Sequence, residues 1–197
     1  DLARQIGQKR GMTLPADGPQ AVQAVFEELA KDYPKTDAEM VNWYRESGVK
    51  LVDYARKTGV FDVPADYKLD VVETPPPLRA SVDGAAYYPA PPFKQSGVGR
   101  FYVTTSGNND QAVLKENNRA ALADLAAHEG FPGHDWHYKY MTRHASAISN
   151  IRWLTPGAVE DSSSMWEDSM AAEGWALYAE ELMSEPAPGR PYGFYSA

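Results

Sequence analysis

What most constrains this chain is a short run that cannot be one straight helix. Residues 120–127, Ala-Ala-Leu-Ala-Asp-Leu-Ala-Ala, are mostly strong helix formers, and they lead into His128-Glu129-Gly130-Phe131-Pro132-Gly133-His134. Pro132 has no amide hydrogen, and its ring clashes with the carbonyl four residues back, at His128. Gly133 tolerates backbone angles that other residues avoid. A Pro-Gly pair inside a helical stretch predicts a helix broken or bulged between Gly130 and His134.

That break decides what the two histidines can do. On a straight helix, residues six apart face about 120° away from each other, whereas residues four apart share a face. Looping out about two residues restores the relation that lets a His-Glu-x-x-His helix hold zinc. The expectation is that His128 and His134 converge. Glu129, directly after the first histidine, then stands where the zinc-protease pattern has its general base. Without a metal it is a helix surface acid.

A second loaded stretch comes later, Ala172-Glu173-Gly174-Trp175-Ala176-Leu177-Tyr178-Ala179-Glu180. A carboxylate among Ala171, Ala172, Trp175, Ala176 and Leu177 is costly to bury unless it is paired or bound to a cation. Glu173 is the preferred third ligand. Glu180, seven residues on and near the same face, is either that ligand or a group that orients a histidine. Two histidines, one glutamate and a water make an open four-coordinate site for one Zn2+ ion. The chain has no cysteine, so a metal must be held by His, Asp or Glu. His137, three residues after His134, is a candidate supporting or substrate-contacting group, and His144 is read as surface or core. A hydrolytic site needs one more donor for a developing oxyanion. Tyr178, Tyr87, Tyr88, Tyr102 and His137 are the candidates.

The remaining chain reads as scaffold. At 197 residues and 43% hydrophobic content it can bury one substantial core. A net charge of −8 argues against a nucleic-acid partner. No apolar run reaches the roughly 20 residues that span a bilayer. Residues 1–18 show no clear period. A helix is expected from Pro19 to about Lys31, its apolar stripe Ala21, Val22, Val25, Phe26 and Leu29. Thr36-Asp37-Ala38-Glu39 has capping-box spacing and opens a helix to about Lys57, stopped by Gly59. Trp43 and Tyr44 on it are read as packing. A strand is expected over 67–74, a long aromatic and Pro-rich ordered loop over 80–99, and a strand over 100–105. Turn chemistry at 106–110 precedes the helix that carries the first motif, which starts between Gln111 and Asn118. Residues 145–160 read as irregular. Ser164 to Glu167 has capping-box spacing and opens a helix to about Ser184. The expected architecture is mainly α with a small β-sheet: a helical scaffold over 1–62, strands and loop over 63–110, and metal-site helices over 111–184.

His-Glu-Gly-Phe-Pro-Gly-His followed by Glu-Gly-Trp-Ala-Leu-Tyr-Ala-Glu resembles the bacterial domain-of-unknown-function family 885. The Pro-rich loop and the Phe101-Tyr102-Val103-Thr104-Thr105 strand are similar to it as well. That family looks like a branch of the gluzincin metallopeptidases, and Glu173-Gly174-Trp175-Ala176 is similar to the Asn-Glu-Gly-Phe-Ala segment of aminopeptidase-N-type enzymes. The resemblance implies a gluzincin-like fold, His128, His134 and Glu173 as zinc ligands, Glu129 as base, and a peptide or small amide as substrate. It also implies that an edge strand, here 100–105, pairs with extended substrate. Two positions depart from the family pattern. Asp135 stands where a second histidine is usual and His137 where glutamine is common, so Asp135 is expected to reshape the surroundings of His134. Family members are several hundred residues long and many look exported, so this chain is expected to be a portion of a cell-envelope protein.

Two other readings compete with the zinc hydrolase. One is a metal- or peptide-binding module without turnover. The other is a helical structural domain without metal, in which Pro132-Gly133 only ends a helix.

Overall fold

Helix boundaries fall where side chains can satisfy the amides that a first turn leaves bare. Asp17, Thr36, Asp110 and Asn118 each accept a backbone N–H of the following helix. In a computed structural model that describes residues 1–89, 99–147, 169–187, 189 and 193–196, the helices so started are α2 (Gly18–Leu29), α3 (Asp37–Thr58), α4 (Gln111–Glu116) and α5 (Arg119–Glu129). Gly59 closes α3 at a φ of 69°, the left-handed region that suits glycine. α1 (Leu2–Lys9) precedes them, and α6 (His134–Arg143) and α7 (Ser169–Ser184) follow.

Three short strands form one mixed sheet, in the order β1 (Val71–Glu73), β3 (Arg100–Val103), β2 (Ala85–Tyr88). β1 runs parallel to β3, and β2 runs antiparallel to it. One face of the sheet, with Val71, Phe101 and Val103, is buried. Phe101 meets Tyr44 of α3 edge-on at 5.4 Å between ring centres. The core lies between this face and the helices, with Met40, Tyr44, Leu51 and Ala55 from α3, Leu122 and Ala126 from α5, and Met183 from α7. The fold is therefore mainly helical with a small sheet, as the sequence predicts.

Several expectations need correction. Residues 1–18 contain α1, which packs on α2. The segment 80–99 is not all loop, because Ala85–Tyr88 pairs with β3. The run before the first motif is two helices, split at Asn117 and Asn118. Strand 100–105 is shorter than expected, Arg100–Val103, and lies in the middle of the sheet. On α2, Ala21 and Val25 are buried while Val22 and Phe26 are exposed, which narrows the expected stripe. The expected helix start at Ser164 and most of the irregular 145–160 segment fall outside the described residues.

Candidate metal centre

The break after α5 is built by contacts that fix each residue. Gly130 has φ −100° and ψ −106°, the Phe131–Pro132 bond is cis, and α6 begins at His134. The Gly133 amide donates to the carbonyl of Ala127 at 2.9 Å, so the chain doubles back on the end of α5. A Cβ on Gly133 would sit 1.7 Å from the His128 carbonyl oxygen, which makes glycine obligatory there. Phe131 is fully buried against Phe61, Tyr67 and Trp136. Trp175 of α7 donates its indole N–H to the Pro132 carbonyl at 2.9 Å and stacks on Trp136 at 5.5 Å. One tryptophan thus docks α7, and with it Glu173, on the break.

The result is convergence. His128 lies in the last turn of α5, His134 starts α6, and Glu173 comes from α7. One donor atom from each lies within 4.8 Å of the others. His128 Nε2 is 3.2 Å from Glu173 Oε2, and His134 Nε2 is 3.6 Å from the same oxygen. The imidazole rings stand edge to face, with centres 4.9 Å apart. Two ligands about 2.1 Å from one tetrahedral ion are themselves about 3.4 Å apart, so two of these spacings fit a zinc-sized ion directly.

Glu180 supplies the chemical part of the fit. Its Oε1 accepts a hydrogen bond from the Nδ1–H of His128 at 2.5 Å. That tautomer leaves the Nε2 lone pair aimed at a carboxylate oxygen. Two lone pairs at 3.2 Å repel unless a proton or a cation lies between them. In the metal-free protein the proton serves. Burial alone lowers the His128 pKa, but the bond to Glu180 and the charges of Glu129, Glu180 and Glu173 outweigh it and raise it above the ordinary imidazole value. His134 goes the other way: burial, helped by the charge of His128, pushes it down to about 4, which keeps a neutral ring ready to donate its lone pair. The donor set, two nitrogens and a carboxylate oxygen, suits zinc and similar divalent ions.

Glu129 lies beside this cluster. Its Oε2 accepts the backbone N–H of Tyr87 on β2 at 2.8 Å. Burial, opposed by His128 and the Tyr87 amide, pushes its pKa up to about 7.

The other candidates separate. His137 lies tilted against Trp175 at 5.6 Å and acts electrostatically on His134. Tyr178 is 54% exposed and meets Trp175 edge-on at 6.2 Å. Tyr102 occupies the sheet face opposite Phe101, edge-on to Tyr88 at 5.5 Å, so the sheet stands between its ring and the helices. Asp135, which adjoins His134, turns its carboxylate to other partners. Its fully buried carboxylate accepts the Tyr67 hydroxyl at 2.5 Å and pairs with Lys139 at 2.7 Å, because those partners are what offset its burial. His144 is exposed and lies 4.4 Å from Tyr140, ring to ring. The sheet edge that faces the cluster is β2, not the 100–105 strand. Sequence reasoning gave Tyr87 only as one possible oxyanion donor, since its part here is played by a backbone amide.

Fold and cluster together define a mainly helical α+β protein with a broken helix that gathers a His-His-Glu set. The chain belongs to the bacterial proteins of unknown function grouped as DUF885, whose family model matches residues 1–196. Two solved structures, both provisionally assigned as lipoproteins, share the fold. One, from Colwellia psychrerythraea, has 20% identity and a TM-score of 0.64 over 91% of this chain and 28% of its own. The other, from Shewanella oneidensis, of unknown function, has 21% identity and a TM-score of 0.67 over 92% and 30%. This chain therefore spans less than a third of the length of these relatives. No curated protein matches it.

Proposed function

We propose that this chain carries the metal centre of a zinc-dependent hydrolase, a gluzincin-like metallopeptidase acting on peptide or small amide bonds. The observation that supports it is the convergence of His128, His134 and Glu173, with Glu180 fixing the tautomer of His128. His128, His134 and Glu173 would hold the ion. A bound zinc ion supplies Lewis acidity toward a carbonyl and makes a coordinated water nucleophilic near neutral pH. Glu129 takes the proton of the attacking water and returns it to the leaving amine. The Tyr87 amide holds one oxygen of this carboxylate and leaves the other for the proton transfer. His137 and Tyr178, on the two helices joined through Trp175, are the candidates to contact substrate or the developing oxyanion.

The lipoprotein assignment of both structural relatives supports an exported or cell-envelope location. Among the described residues no helix is long and apolar enough to cross a membrane.

The test is turnover of a mixed peptide substrate pool by the zinc-loaded protein and by Glu129→Gln. The proposal expects cleavage by the wild type, and a loss of about 100-fold or more in the variant with zinc still bound. A second reading, a cation-binding module without turnover, draws on the 57% exposure of the Glu173 side chain, which leaves one side of the cluster open. Stoichiometric zinc with no cleavage by wild type would decide for it.

A further inference from the structure

The two histidines of the cluster are not held alike. His128 has Glu180 on its Nδ1 at 2.5 Å, which fixes its ring. The Nδ1 of His134 is buried and makes no hydrogen bond among the described residues. Its aim is left to packing and to the backbone that carries it. That backbone is the start of α6, and Gly133 before it has no side chain to cap the helix. The hold comes from the next residue. Asp135 is fully buried, and its Oδ2 accepts the Tyr67 hydroxyl at 2.5 Å and the Lys139 ammonium at 2.8 Å. Lys139, four residues on, shares that face of α6 and also donates to the Lys68 carbonyl. The Tyr67 ring meets Phe131, in the break, edge-on at 5.4 Å. Tyr67 thus touches the break with its ring and the first turn of α6 with its hydroxyl. Consecutive helix residues stand about 100° apart around the axis, so a rotation that moved Asp135 would carry His134 with it. A buried carboxylate resists such movement, because it would lose the partners that offset its burial.

We propose that Tyr67 and Asp135 are positioning residues for His134, their buried hydrogen bond fixing the rotation of α6 that points the imidazole at His128 and Glu173. The effect on metal binding rests on the zinc-centre reading above, but the positional claim does not. The bond does for His134, through the backbone, what Glu180 does for His128 directly.

The experiment uses Tyr67→Phe, which deletes one oxygen and leaves the ring against Phe131. Thr105→Val is the comparison, since it removes another buried hydroxyl's bond, to Glu73 at 2.5 Å, between two residues outside the cluster. In the metal-free protein, a nuclear Overhauser contact between the His128 and His134 rings, whose centres are 4.9 Å apart, reports their convergence directly. That contact should be present in wild type and Thr105→Val, and weakened or lost in Tyr67→Phe. Zinc affinity, by chelator competition, should fall about tenfold in Tyr67→Phe and stay unchanged in Thr105→Val. A ring contact that is the same in wild type and Tyr67→Phe overturns the proposal. So does unchanged zinc affinity in Tyr67→Phe when the wild type binds zinc, or an equal loss in Thr105→Val, which would mark a general effect of stability. If the wild type binds no zinc, the zinc-centre reading falls and the ring contact alone decides the positional claim. Should Tyr67→Phe fail to fold, Asp135→Asn, which keeps an oxygen for Tyr67 but weakens the pair with Lys139, carries the same two measurements with the same outcomes.

Discussion

At the residue scale, the proposed centre would divide into groups that hold an ion, groups that orient them and one group that moves a proton. The histidines behave oppositely although they are six residues apart. His128 has carboxylates around it and Glu180 on its Nδ1, while His134 is buried with its Nδ1 unpartnered among the described residues. Glu129 makes a sharp prediction in the metal-free protein. Its pKa is raised by burial from the ordinary carboxylate range to about 7 in the folded state. The folded protein therefore holds this proton longer than the unfolded chain, and stability declines as pH rises from about 4.5 to about 7. Glu129→Gln removes that penalty and keeps an oxygen for the Tyr87 amide. In chelator, the variant should be more stable than wild type at pH 8, by about 1 to 3 kcal/mol, with the gap closing at pH 5. Denaturant unfolding at the two pH values checks it. Glu180→Gln weakens the hold on His128 Nδ1 and should reduce zinc affinity about 10- to 100-fold, measured by chelator competition. The cluster itself was legible in the sequence because its residue types and their order carry the chemistry. The partners of Asp135 were not, since Tyr67 lies 68 positions away and nothing local points to it.

At the element scale, the break between α5 and α6 is the working part of the fold. Pro132 and Gly133 made it readable before any coordinates. What they could not convey is how it is fastened, by the Gly133 amide to Ala127 and by Trp175 to the Pro132 carbonyl. Two glycine replacements separate the cases. Gly133→Ala places a carbon where the His128 carbonyl oxygen already is, and should cost about 3 kcal/mol or more, or prevent folding. Gly174→Ala meets nothing within 4 Å on α7 and should stabilise by about 0.5 to 1 kcal/mol. Thermal and denaturant unfolding of the two variants tests whether steric contact, not glycine content, is what matters. α1 and β2 were hidden for a common physical reason. Each is short, eight and four residues, and each packs on a neighbour, α2 or β3. The split at Asn117 and Asn118 was hidden because asparagine serves equally as a helix surface residue and as a cap, and its partners, the Tyr44 hydroxyl on Asn117 and the Asp32 carbonyl on the Arg119 amide, are distant in sequence.

At the scale of the whole molecule, a core shared by α3, α5, α7 and the sheet places three ligand-bearing segments around one point. A cation held by all three should therefore act as a cross-link, and zinc in excess should raise the melting temperature by mass action. The wild type should shift upward and lose the shift in chelator, while His134→Ala should shift little. The family match covers nearly the whole chain, yet the chain covers less than a third of its structural relatives.

X-ray absorption at the zinc edge of the zinc-loaded protein tests the centre most directly. One ion per chain with two imidazole nitrogens and carboxylate oxygen at about 2.0 to 2.2 Å is the predicted spectrum, with the signal lost in His128→Ala, His134→Ala and Glu173→Ala. Failure to bind zinc at stoichiometry, or a spectrum without imidazole scattering that survives those three substitutions, would contradict it.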